Sequence, residues 1–586
     1  MFCFLLILLS GGAFCAIRLG RRIEETLAPT AAGFILLLFA LGAFRLLHWG
    51  LPVAAGVAAL FWLAAARRSE NWRRCFLTPG LGCFLIGYFL FFFLMRGKLF
   101  YNWDDFSHWG AAARELFESG LMPCFAPDRF MFPAYPAGGG LFEFLALKSS
   151  FATAFNEGVY NFAPLVLVLC ATVGIMRFSE WSRPWQALGQ CMLVFAVPLL
   201  FFPNFFSGYM DCPLGALFAA GMMTVMFRAK NDKVAALLFI PLLAAVLPLI
   251  KPSGFGFALA LTLFGALAGG DSQRIRLTGA AAALTAVAAV KIALVVLCSG
   301  IVVKSLGNEF SLNALYMALV HNEPGYAWTS LRHSAFAAFC RPSPSGVFLP
   351  PVWYAILLGL VLMKTGKRFA AILLTIFTLV FILLLALSYL FNFVEYDAVN
   401  LGSFDRYIGT LTMAFSLAVL AALFQKGEAK TVRLALAFVF LGGAVRLAAP
   451  LNELAQWNRR IAKYRSPMDA GRKALTGVLR NGETFTVIDQ GGVGWSRIIF
   501  HYYFGLERYK LDALYSLGDS QYDGDAWTVA VSPEDWLAEL DSEGVDYVWV
   551  QRTTPDFLKK YGRLFTTPPE DRSLYRVKAA GGLDKL

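Results

Sequence analysis

The chain has 586 residues, of which 58% are hydrophobic and only 15% charged, with a formal net charge of +12. A soluble globular protein carries about 25% charged residues, so this balance excludes that class and points to a polytopic membrane protein. The basic excess falls in short clusters between apolar runs, the pattern of membrane topology, and this sets nucleic acid aside as a partner.

In chain order, apolar runs long enough for a bilayer core occur at 2–18, 30–47, 51–66, 80–96, 159–176, 187–203, 209–227, 234–250, 253–268, 277–300, 349–363, 369–391, 407–424 and 431–448. They predict about fourteen spans. The region 234–268 is broken by Pro241, Pro248, Pro252 and Gly254, which suits either two short spans or one re-entrant pair. The first run resembles a signal peptide in length, but its arginines follow it instead of preceding it, so it reads as a span with its N-terminus outside. The predicted class is mainly α: a transmembrane helical bundle over 1–449, with outer loops 97–158 and 304–348, followed by a small soluble α/β domain over 450–586.

Alternate connections carry Arg18/Arg21/Arg22, Arg67/Arg68/Arg73/Arg74, Arg177/Arg183, Arg228/Lys230/Lys233, Arg274/Arg276, Lys364/Lys367/Arg368 and Lys426/Lys430/Arg433. The positive-inside rule assigns these to the cytoplasm. The remaining connections then face outward, and they hold the candidate chemistry: the expectation is a multi-pass protein of a bacterial plasma membrane with an extracytoplasmic site and tail. The cysteines lie mostly within apolar runs without a CxxC spacing, which argues against a zinc or disulfide framework; Cys124 and Cys340 read as unrelated thiols.

The first outer loop opens with "LFYNWDDFSHWGAAAREL". Phe106, Trp109, Ala113, Leu116 and Phe117 recur at helical spacing, so one helix is predicted, on which Asp104 and His108 are i,i+4 neighbours and Asp105 and His108 are i,i+3 neighbours. Two readings stand: a helix start capped by the acids with Trp103 and Trp109 at the lipid boundary, or a general base that takes a proton from an acceptor hydroxyl. The second carboxylate orients the acceptor or offers oxygen ligands to a divalent cation. Downstream, "FPAYPAGGG" breaks the chain and permits close backbone approach.

"GYMDCPL" places Asp211 at an outer helix start, and "LPLIKPSGFGF" places Lys251 against Pro252. Ionisable groups at this depth are costly unless paired or used; Lys251 either snorkels to headgroups or binds a phosphate. "FDRYIG" supplies Arg406 and Tyr407; the arginine fork suits a phosphate, and pairing with Asp405 or contact with a headgroup is the alternative. In the 304–348 loop, His321, Glu323, Arg332, His333 and Arg341 read as a solvated set, with gating of a substrate as the alternative. In the tail, "SPMDAGRKALTGVLRNGE" and "SPEDWLAELDSEG" carry capping signatures at Ser466 and Ser532, and strands are predicted at 485–488, 527–531 and 547–550, with no catalytic constellation.

Together, "WDDFSHW" followed by "FPAYPAGGG", with "GYMDCPL", "KPSGF" and "FDRYIG", resembles the GT-C membrane glycosyltransferases that use polyprenyl-phosphate sugars, the group that includes protein O-mannosyltransferases and aminoarabinose transferases. The resemblance implies a GT-C-like bundle and an inverting transfer from a polyprenyl-phosphate sugar to an extracytoplasmic glycan, lipid or protein. Asp104 would deprotonate the acceptor with Asp105 assisting, while His108, Asp211, Lys251, Arg406 and Tyr407 would bind substrate, Lys251 and Arg406 at the departing phosphate. It implies no cofactor and no required metal, although a divalent cation is compatible with the acidic pair. A polysaccharide polymerase or ligase and a transporter are the rival classes.

Overall fold

The computed structural model describes the chain apart from residues 67–71, 229–231, 269–271, 302–310, 344–348, 426–445, 506, 523–524, 526 and 579–580. It is mostly helical, with a few C-terminal strands. Among the described residues, seven helices are long and apolar enough to cross a membrane: Phe2–Leu19, Leu47–Ala66, Glu157–Phe178, Pro184–Phe201, Gln273–Leu297, Arg368–Phe391 and Phe404–Gln425. This is the architecture of a membrane protein. Shorter apolar helices occupy the other predicted runs except 431–448, most of which, with the basic cluster at Lys426/Lys430/Arg433, lies outside the described residues.

The chain divides into two compact units. The first comprises Met1–Gly97, Leu116–Met122 and Ala134–Leu454. Its centre is the helix Asp211–Phe227, buried along nearly its whole length and packed on Phe404–Gln425. Glycine sets that approach: a Cβ at Gly215 would stand 2.5 Å from the Thr410 carbonyl oxygen. Peripheral helices such as Gln273–Leu297 and Arg368–Phe391 leave large apolar side chains exposed, among them Leu284, Ile292, Val295, Leu379 and Leu383, as a lipid-facing surface requires.

The break at 234–268 is resolved as two helices, Ile240–Ile250 and Gly254–Leu267, entered through a π-helical turn at Ala235–Phe239. Pro252 forbids the helical conformation to the residue before it, and Lys251 is accordingly extended at φ −157°, ψ 152°. Gly254 closes the turn, because a Cβ there would fall 1.9 Å from the Leu247 carbonyl oxygen. Gly138 likewise lets the helix Gly138–Ser149 approach the backbone of Leu249, at 2.6 Å from a built Cβ to the carbonyl oxygen.

The 304–348 loop keeps His321, Glu323, Arg332 and His333 exposed, in keeping with their reading as a solvated set. Its described part folds into Leu312–Tyr316, a π-helical turn at Met317–His321, and Ala327–Phe339. Ala337 and Ala338 enter a core with Val352, Leu385 and Tyr389, and His333 Nδ1 lies 2.7 Å from the Val399 carbonyl oxygen.

The second unit comprises Lys98–Glu115, Pro123–Pro133 and Ala455–Leu586, so two pieces of the first outer loop fold with the tail. A four-stranded sheet runs β1 (Phe485–Asp489), β4 (Tyr547–Arg552), β5 (Ser573–Val577), β6 (Leu583–Lys585), with β1 and β4 parallel and the rest antiparallel. β2 (Ser516–Leu517) and β3 (Thr528–Val529) form a separate parallel pair, shorter than the strand predicted at 527–531. Trp536, Leu540, Phe557, Tyr561 and Tyr575 pack into the core on Val548 and Val550. Ser532 caps the helix Pro533–Ser542 as predicted, accepting from the Asp535 amide at 3.1 Å. Ser466 does not: it opens a 3-10 turn, Ser466–Met468, and the helix Asp469–Val478 starts beyond it without a side-chain cap.

His501 is the buried base of this unit, on the helix Trp495–Phe504, with Nε2 3.3 Å from the Arg129 carbonyl oxygen. Burial lowers its pKa to about 4. A base held below its unfolded value contributes stability that is complete above pH about 6.5 and is lost as pH falls toward 4. Acidification across that window should therefore cost the unit up to ~3 kcal/mol from this residue alone. Unfolding of the purified chain followed by near-UV circular dichroism at pH 7 and pH 4.5 checks this: His501→Gln should flatten the pH dependence, and an unchanged slope would refute it.

Candidate functional site

Three segments of the membrane unit converge on one buried carboxylate. Asp211 is the first residue of the helix Asp211–Phe227, where a negative charge meets the positive end of the helix dipole. Lys251 arrives from the extended turn before Pro252, and its Nζ lies 2.6 Å from Asp211 Oδ1. Arg406 arrives from the first turn of Phe404–Gln425, with Nε 3.5 Å from Asp211 Oδ2, an ion pair longer than a hydrogen bond should be. Asp211 is 2% exposed and Lys251 7%, so neither meets its hydration need from solvent.

Two tyrosines complete the arrangement. Lys251 Nζ stands 4.7 Å from the ring centre of Tyr407, and the Arg406 guanidinium carbon lies 5.4 Å from the same ring and 4.4 Å from that of Tyr209. The aromatic faces thus hold two cations near one acid without supplying a second negative charge.

Asp211, Lys251 and Tyr407 line a cavity of about 640 Å³. Tyr135, Ser388 and Asn392 add neutral hydrogen-bonding groups to its wall, while Phe255, Phe257, Phe377, Phe381 and Leu384 make the remainder apolar. The rings of Phe257 and Phe381 meet edge to face at 5.3 Å, which gives the apolar wall a defined shape. A cavity with an ion-paired polar end and a phenylalanine wall suits an amphiphile: a polar head joined to an apolar chain.

Lys251 donates to Asp211, a partner the sequence did not indicate. Asp405 and Arg406 diverge: Asp405 accepts from Ser343 Oγ at 2.6 Å and pairs with Arg341 at 3.4 Å, whereas Arg406 reaches Asp211. Tyr135, Ser388 and Asn392 were missed. Ser388 and Asn392 are an i,i+4 polar pair closing an otherwise apolar span, with Asn392 Nδ2 donating to Ser388 Oγ at 2.9 Å, and that pairing was the available signal.

Asp104, Asp105 and His108 belong to the second unit. The single helix predicted for them is two, Trp103–Ser107 and Trp109–Ser119, separated at His108, which leaves the helical region at φ −149°, ψ −55°. The break changes the predicted i,i+4 geometry, and His108 Nδ1 lies 2.8 Å from Ser107 Oγ, its ring against Trp109 and Phe132. Both acids occupy the first turn of the short helix; Asp105 is buried and Asp104 half-buried. The ring of Trp103 packs on Trp495 at 5.3 Å and Trp527 at 6.2 Å, both in the tail.

Removing one partner from a buried ion cluster leaves an uncompensated charge. Asp211→Asn, which strands the buried Lys251, should lower stability by about 3 kcal/mol, and Lys251→Met added to it should recover a large part of that loss. Denaturant unfolding of the detergent-solubilised single and double variants checks this, and additive losses would contradict a shared cluster. Compared with protein families, curated proteins and solved structures, the chain matches none.

Proposed function

We propose that this protein is an integral membrane glycosyltransferase of GT-C type that moves a sugar from a polyprenyl-phosphate donor to an extracytoplasmic glycan, lipid or protein. The observation that carries the reading is the buried Lys251–Asp211 pair, with Arg406 beside it, at the polar end of a cavity that Asp211 and Lys251 line and phenylalanines wall. A polyprenyl phosphate has the matching form, an anionic head on a long apolar chain.

Inverting transfer forms a bond between the acceptor oxygen and the anomeric carbon and breaks the bond from that carbon to the phosphate oxygen. The phosphate gains negative charge as it leaves. Lys251 and Arg406 stabilise that charge, and the prior pairing with Asp211 fixes their positions before the reaction, so little reorganisation is needed. Tyr135, Ser388 and Asn392 offer the donors and acceptors a sugar requires. The base is assigned to Asp104, the first acid of the pair and the more exposed of the two, with Asp105 buried beside it. No step calls for a metal.

The reading is tested with membranes containing a radiolabelled polyprenyl-phosphate hexose or pentose. Arg406→Ala should reduce sugar release by about 100-fold, the usual effect of losing one transition-state charge partner. Asp104→Asn should abolish turnover while donor binding persists. Wild-type turnover in Asp104→Asn would remove that residue from catalysis, and absence of release from every lipid-phosphate sugar would overturn the proposal.

A further inference from the structure

The soluble unit contains a crevice of about 410 Å³ that the transfer reaction does not use. It opens where the parallel strands β1 and β4 end, at Asp489 and Arg552, the position at which open α/β sheets receive ligands. One wall is the loop from Gly491 to Gly494, which joins β1 to the helix Trp495–Phe504. Its form depends on glycine: Gly491 and Gly494 have φ of +65° and +84°, and a Cβ at Gly492 would stand 2.5 Å from Asp489 Oδ2. The wall is therefore largely backbone, with Val493 as its one side chain.

Three cations from separate segments line the crevice: Lys463, Arg552 and Arg572. Arg552 is fixed, with Nε and Nη2 each 3.1 Å from Asp489 Oδ1, yet its side chain remains 49% exposed. Lys463 Nζ sits 4.8 Å from the ring centre of Tyr464, and Tyr464 stacks on Trp495 at 4.3 Å. Both the cation and the indole cover the tyrosine, so the pair positions charge and offers no bare face for a sugar to stack on. Among the described residues, neither Lys463 nor Arg572 has a carboxylate within ion-pair distance, and Asp571, the second acid at the crevice, accepts from the amide and hydroxyl of Thr553 at 2.7 and 2.8 Å.

From this geometry we infer that the crevice at the ends of β1 and β4 binds a phosphate group, with Lys463 and Arg572 as its charge partners and Arg552 held beside them by Asp489. Arginine and lysine in this combination suit a tetrahedral anion better than a neutral glycan, which would need uncovered aromatic faces and paired carboxylates. The site stands independently of sugar transfer by the membrane unit.

The test uses the full-length protein in detergent, and the Lys463 and Arg572 variants separate binding in the crevice from binding in the membrane cavity. Binding of inorganic phosphate and of glycerophosphoglycerol, a phosphodiester, is measured by titration calorimetry at low salt, with glycerol as the uncharged control. Saturable binding of either phosphate probe, weakened about tenfold by Lys463→Ala and by Arg572→Ala and further by the double variant, is expected. Tighter binding of the diester assigns the site to a lipid headgroup or polymer, and tighter binding of inorganic phosphate assigns it to the free ion. Absence of saturable binding, equal affinity in the double variant, or glycerol binding as well as the phosphate probes would overturn the inference. Both substitutions are at exposed or half-exposed cations, and an unchanged thermal midpoint shows that the unit is intact.

Discussion

A carboxylate buried at the start of a helix is the constraint on which the membrane unit turns. Asp211 is almost wholly withdrawn from solvent, and an isolated charge in such a place would cost several kcal/mol. Lys251 and Arg406 meet that cost from two other segments, so the helix start, the turn at 251–254 and the first turn of Phe404–Gln425 must all be present together. The tight approach at Gly215 is the mechanical counterpart: without it the helices carrying Asp211 and Arg406 would stand further apart, and the 3.5 Å pairing would lengthen.

The same segments show why broken helices occur here. A chain interrupted inside a bilayer exposes backbone groups that lipid cannot satisfy, and such breaks survive only where they are buried in protein or line a cavity. Pro252 stops the helix Ile240–Ile250 one residue after Ile250, and the released Lys251 faces the cavity instead of hydrocarbon. Gly254 restarts the helix with the tightest backbone contact in the region. The interruption and the ionisable residue are thus one device: proline supplies the extended residue, and Asp211 supplies its partner.

The helices were readable in the sequence because a bilayer imposes a length and a composition that few other constraints imitate. Asp211, Lys251, Arg406 and Tyr407 could be singled out because ionisable and amphipathic groups stand out against apolar runs. Their mutual pairing was not readable: they are far apart in the chain, and a local rule such as the adjacency of Asp405 and Arg406 points to the wrong partner. The helix break at His108 was hidden for the opposite reason. Its neighbours keep apolar spacing across the break, and periodicity registers which side chains are buried more surely than whether one helix or two bury them. β5 and β6 escaped because Ser573–Val577 has a charged residue within it and Leu583–Lys585 is only three residues long.

The two units hold cations in different ways, and the difference explains what sequence could and could not mark. In the membrane unit Lys251 is buried and therefore must have an acid; its presence amid apolar residues is itself a signal. In the soluble unit Lys463 and Arg572 are exposed, so water removes the need for a partner, and two such residues in a basic chain attract no notice. What distinguishes them is convergence at the ends of parallel strands beside a glycine loop, a property of topology. A site assembled from inexpensive surface charges is invisible until the strands β1 and β4 are paired, whereas a site assembled from costly buried charges announces its members first and its geometry afterwards.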